Sequence, residues 1–172
     1  MEPIVVLLII ANINFRDEEY LEPKNILEKA GIKVITASSS LKEAKGMLRA
    51  KAKIDITIDK VNVSNYYAII FVGGSGATEY FDNKIAHRIA KEAISQNKIV
   101  GAICIAPVIL AKAGLLKNKK ATVFSSEKNE LIKYGAIYSD KGVEVDGKII
   151  TASGPKFAKE FGEKIKALLL EM

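Results

Sequence analysis

The chain has one cysteine, one histidine, no tryptophan and four prolines in 172 residues. A single cysteine cannot close an internal disulfide, which fits a reducing compartment, so a cytoplasmic location is expected. One Cys and one His make a poor metal-ligand set, so no metal is expected, and no motif calls for a cofactor. No apolar run approaches the length of a membrane span. The start, Met1-Glu2-Pro3, is acidic where a signal peptide would be basic. The apolar run that follows is strand-sized, so no membrane role is expected. Repeats and linkers rich in Pro, Ser or Gly are also missing, which points to a single domain over residues 1–172.

Charge of one sign is not concentrated anywhere. The net charge is +6, but lysines and acids alternate, as in Glu28-Lys29, Lys42-Glu43 and Lys159-Glu160. No basic block carries interleaved aromatics, so no nucleic-acid partner is expected. Hydrophobic residues make up 49% and charged residues 27%, as in an ordinary globular protein. A chain of this length can bury a core without staples.

Strand and helix patterns alternate. Residues 4–10 form an unbroken apolar run, as expected of a parallel strand covered on both faces. Residues 18–30 read as a helix with Leu21, Ile26, Leu27 and Ala30 inward, ended by Gly31. Strands are expected at 33–37, 67–72, 99–103 and 121–124, and helices at 83–96, 106–115, 127–134 and 156–170. Residues 54–59 alternate strictly and read as a further strand. Residues 143–150 read as a hairpin turning at Asp146-Gly147. The alternation implies an α/β fold, doubly wound, with a mostly parallel sheet and helices on both faces. Ligands bind such sheets beyond the carboxyl ends of the strands.

Cys104 lies where the strand at 99–103 ends and a helix begins, with small Ala102 and Ala106 on either side and Pro107 in the first turn. That pattern suits a nucleophile elbow, which lifts a side chain above the sheet. Backbone N–H groups at the helix start would favour the thiolate, and a depressed pKa is expected. A buried structural cysteine fits the same turn equally well. Asp17, Glu18 and Glu19 open the first helix, where acids complement the dipole. Gly73-Gly74-Ser75-Gly76 has neither the P-loop nor the dinucleotide spacing. It remains a tight turn, or a turn whose N–H faces an oxyanion.

Taken in order, residues 15–23 with Ala30-Gly31-Ile32-Lys33-Val34, then Phe71-Val72-Gly73-Gly74, then Ala102-Ile103-Cys104 with Pro107, then Thr151-Ala152-Ser153-Gly154-Pro155, resemble the ThiJ/PfpI superfamily over nearly the whole chain. The resemblance implies a flavodoxin-like sandwich with Cys104 as the reactive cysteine and Glu19 as its buried glutamate. It puts Gly74 in the oxyanion hole, with the Ile105 N–H as the second donor. It also makes residues 41–58 largely extended, against the helical propensity of 41–52. A homodimer or higher homo-oligomer is implied as well. The chain departs from the family pattern in its histidines. PfpI-like members carry one after the cysteine, where Ile105 stands here, and DJ-1-like members carry one where Phe124 stands. The one histidine, His87, lies in the 83–96 helix and reads as a surface residue, as does the acid Glu79.

A thiol with one carboxyl but no histidine suits small reactive carbonyls, in glyoxalase or deglycase chemistry. A redox sensor or stress chaperone built on Cys104 is the non-enzymatic alternative. A cysteine peptidase is disfavoured, because it needs a base beside the thiol and Ile105 is not one.

Overall fold

The computed structural model describes residues 2–172. In chain order the elements are β1 (Val5–Ile9), β2 (Ile13–Phe15), α1 (Asp17–Lys29), β3 (Lys33–Ser38), β4 (Ala44–Gly46), β5 (Lys51–Ala52), β6 (Ile56–Thr57), β7 (Ala68–Phe71), α2 (Lys84–Ser95) and β8 (Ile99–Ile103). They continue with α3 (Pro107–Lys112), β9 (Lys120–Ala121), α4 (Lys128–Lys133), β10 (Ile137–Tyr138), β11 (Val143–Asp146), β12 (Ile149–Ala152) and α5 (Ala158–Leu170).

Seven strands form one sheet in the order β11-β12-β8-β7-β1-β3-β6. All neighbours are parallel except β11, which runs antiparallel to β12 across the hairpin. Side chains of β1 alternate between two cores. Leu7 and Ile9 pack with α2, α3 and α4, while Val6 and Leu8 pack with α1 and α5. Both faces are covered, which is why this strand has no polar alternate. Helix α5 comes close to α1 at Gly162, where a Cβ would lie 2.9 Å from Pro23 Cα.

β3 lies on one side of β1 and β7 on the other. The connections leaving β1 and β7 therefore diverge, and a crevice opens above their carboxyl ends. A small sheet, β2-β4-β5, joins the loop before α1 to the extended excursion. That excursion is extended despite its helical propensity. Buried Asp17 at the start of α1 accepts the N–H groups of Leu48 (2.8 Å) and Ala50 (2.7 Å). Gly46 leaves room for that carboxylate. Tertiary hydrogen bonds thus outweigh a local preference of a few tenths of a kcal/mol per residue.

Several expected elements are corrected. The strand at 54–59 shrinks to β6, because the chain turns into a 3-10 helix at Ile58–Lys60. The strand at 121–124 pairs only at β9, and with β10 rather than the main sheet. The helix at 106–115 is the six-residue α3, since Gly114 at φ +81° ends it. In α1 the inward residues are Tyr20, Pro23 and Leu27, while Leu21 and Ala30 are exposed. Packing on α5 and β3 sets the inward face and leaves Leu21 outside it. No helix among the described residues is long and apolar enough to cross a membrane.

Candidate active site

Cys104 follows β8 directly and has φ +65°, a left-handed conformation rare for a residue with a side chain. Its N–H donates to Ala152 O at 2.9 Å and its carbonyl accepts from Phe124 N at 2.8 Å. Those two bonds pin the turn between the end of β12 and the chain after β9. The sulfur then sits at the crevice, in the strand–turn–helix geometry that a nucleophile elbow needs.

The turn after β7 lies beside it. Gly74 has φ +101°, and a Cβ there would run into the backbone of Arg16 and Asn14. Arg16 N donates to Gly73 O at 2.9 Å, which stitches the loop before α1 to this turn. Gly73 is the meeting point. A Cβ on it would lie 2.6 Å from Cys104 Cβ and against Glu19 Oε1. Thiol and carboxyl are therefore neighbours across one glycine, although helix α1 and the Cys104 turn are 85 residues apart in sequence.

Glu19 is fully buried, and neither carboxyl oxygen meets a donor in hydrogen-bonding geometry. The thiol and the Gly73 N–H are near enough to ease its charge without forming such a bond. Burial pushes the carboxyl up to about 8, so it holds a proton at neutral pH. Cys104 is also buried, at 8% exposure. Burial, and then the charge of Glu19, push the thiol up to about 12, while the N–H groups of Gly74 and Ile105 act to lower it. The depressed thiol pKa expected from the helix start is thus overturned. Helix α3 is short, and desolvation outweighs two N–H dipoles. The two groups titrate as one pair, with the first proton leaving near 8. Alkylation of Cys104 by iodoacetamide should accordingly rise through pH 8 or above. A rate already at its plateau by pH 6 would contradict this.

The sulfur opens into a cleft of about 330 Å³. Its wall is mainly apolar, from Met47, Ile105, Phe124 and Pro155, with Arg16 and the Ser75, Thr78 and Ser126 side of the rim adding polar groups. Four sequence-derived residues meet here: Cys104, Glu19, Gly74 and Ile105. Phe124 stands in the cleft wall, where it offers no base.

His87 does not join them. It is half-buried on α2, with Nε2 2.7 Å from Phe81 O, in a separate hollow with Lys84 and Arg88. Glu79 is exposed and only accepts the Asn12 N–H at 3.3 Å. Among the described residues, no three His, Cys, Asp or Glu side chains converge to hold a metal ion.

Three contributors were not visible in the sequence. Gly73 looked interchangeable with the glycines around it. Asp17 looked like an acid complementing a helix dipole, yet it clamps the β4–β5 hairpin that carries Met47. Arg16 carried no signal beyond its place next to three acids.

A parallel α/β sheet that presents a left-handed cysteine beside a buried carboxyl defines a class of thiol-centred α/β proteins. The chain belongs to the DJ-1/PfpI family, whose sequence profile matches residues 5–168. An uncharacterised protein of Methanocaldococcus jannaschii is 47% identical over 95% of this chain and 82% of its own length. A protein of Pyrococcus horikoshii named as a deglycase is 33% identical, covering 87% of this chain and 90% of its own. The crystal structure of a ThiJ/PfpI domain protein from Brachyspira murdochii superposes with a TM-score of 0.97 at 31% identity, covering 100% of this chain and 99% of that one.

Proposed function

We propose that the chain converts small 2-oxoaldehydes to 2-hydroxy acids, with Cys104 as nucleophile and Glu19 as proton shuttle. One observation carries this reading: a fully buried carboxyl with no protein donor sits beside the only thiol, at the floor of an open cleft. A buried carboxyl without partners costs stability, and such costs concentrate where chemistry needs them. The relative named as a deglycase supports a reactive-carbonyl substrate.

Glu19 loses its proton before the thiol does, so its carboxylate takes the Cys104 proton as the sulfur approaches substrate, while the N–H groups of Gly74 and Ile105 favour the thiolate that forms. The thiolate adds to the aldehyde carbon, an S–C bond forms, and the oxygen takes the Glu19 proton. The hemithioacetal forms with its oxygen toward Gly74 and Ile105. The Glu19 carboxylate then takes the hydrogen of that carbon as a proton and returns it to the adjacent carbonyl carbon. The hydroxyl proton passes to the neighbouring oxygen. The aldehyde carbon is thereby oxidised to a thioester and the ketone carbon reduced to an alcohol. Water hydrolyses the thioester, releasing the 2-hydroxy acid and the thiol.

Peptide hydrolysis is disfavoured, because the histidine that would activate the thiol lies on α2, away from the cleft. Methylglyoxal is the simplest probe. Purified protein should form lactate from it, and Cys104→Ser should not. Conversion by wild type no faster than in buffer would overturn the proposal.

A further inference from the structure

We infer that Arg16 makes this cleft select anionic substrates, namely reactive carbonyl compounds that also carry a carboxylate or phosphate. This rests on the carbonyl chemistry proposed for Cys104, but its main test does not.

The cleft wall contains two ionisable side chains, Arg16 and Cys104, and only Arg16 carries a permanent charge. The rest is apolar or hydroxyl-bearing, and no carboxylate lines the wall. Low-polarity walls strengthen a charge–charge contact relative to water. Arg16 is also held in place. Its N–H is bonded to Gly73 O, and Glu18 grips one edge of the guanidinium, with Nε–Oε1 at 2.9 Å and Nη2–Oε2 at 3.0 Å. Among the described residues Nη1 donates to no protein acceptor. The free end of a guanidinium matches the two oxygens of a carboxylate or phosphate. It is pre-oriented by Glu18, so little freedom is lost on binding.

The arrangement also explains why Glu18 is not a neutral neighbour of Glu19. Its carboxylate offsets part of the Arg16 charge, and removing it should strengthen anion selection. Glu18 and Arg16 therefore have opposite expected effects, which a merely structural pair would not produce.

Two alkylating agents of nearly equal size test this without turnover. Iodoacetate is an anion and iodoacetamide is neutral. Each reacts by displacement, in which the Cys104 thiolate forms the S–C bond as iodide leaves with the C–I pair. The rate ratio of iodoacetate to iodoacetamide is measured at pH 8.5 and divided by the ratio for N-acetylcysteine. In wild type this normalised ratio should exceed one by about tenfold, the low end of electrostatic focusing in a cleft. It should fall to about one in Arg16→Gln, stay intermediate in Arg16→Lys, rise in Glu18→Gln, and shrink as salt is raised. Arg16→Lys keeps the test valid if Arg16→Gln unfolds. A second arm compares kcat/KM for a carboxylate-bearing 2-oxoaldehyde with its methyl ester. Selective alkylation without turnover of either compound would sink the carbonyl chemistry and leave anion selection standing. An alkylation ratio that is equal in wild type and both Arg16 variants, or a sulfur closed to both reagents, would overturn the inference.

Discussion

Replacing Glu19 by glutamine is expected to lower 2-oxoaldehyde turnover by about two to four orders of magnitude, the usual share of general acid–base catalysis. Iodoacetamide alkylation of Cys104 should change far less, since glutamine keeps the shape. Glu22→Gln, an exposed substitution one turn away, serves as the control for charge on α1. Glu19→Gln should also gain stability relative to wild type as pH rises. Glu19 holds its proton up to about 8 in the folded protein, against an ordinary value of 4.5. Below 4.5 both folded and unfolded chains are protonated, and the group costs nothing. Between 4.5 and 8 the unfolded chain has lost a proton that the folded one keeps, so stability drains as pH rises. At about 1.4 kcal/mol per pKa unit, the loss is on the order of a few kcal/mol by pH 8. Glutamine has no proton to lose. The melting temperature of Glu19→Gln minus that of wild type should therefore grow by roughly ten degrees from pH 5 to pH 8. Parallel melting curves across that window would show that the carboxyl titrates normally.

Gly73→Ala should drive the thiol and the carboxyl apart. Its Cβ would lie 2.6 Å from the Ile103 carbonyl oxygen and 2.6 Å from Cys104 Cβ, with Glu19 Oε1 on the other side. The carbonyl belongs to strand β8 and cannot swing away, so the sulfur and carboxyl must move apart. Displacements of about 1 Å at reacting groups cost about a hundredfold in rate, and overpacking costs about 1–3 kcal/mol. Turnover should fall at least a hundredfold, with a lower melting temperature. Gly114→Ala makes the contrast. Gly114 has open space around it but φ +81°, so it should lose stability through backbone strain and keep its turnover. Full activity in Gly73→Ala would mean that the carboxyl and thiol need not touch the same glycine.

The substitutions separate two kinds of information in this chain. The mostly parallel sheet, the hairpin at Asp146-Gly147 and the thiol in a strand-to-helix turn were legible because each rests on local chemistry. Apolar runs mark strands covered on both faces, glycine marks positive φ, and small residues beside Cys104 mark a close turn. Glu19 was legible only through the resemblance to a family. Its neighbours Asp17 and Glu18 look alike in the sequence, and the three acids in fact take three separate tasks: clamping a hairpin, holding Arg16, and facing the thiol.

What the sequence by itself determined was therefore the α/β class, the parallel sheet and the place of Cys104, because these follow from periodicity and backbone preferences that span a few residues. The tertiary structure alone decided the phase of α1, the short β6 and α3, the extended hairpin under Asp17, and the upward shift of the thiol. Each of these depends on which distant atoms come to lie within a few ångströms. Desolvation and long-range hydrogen bonds act across that distance, and spacing along the chain carries no record of them.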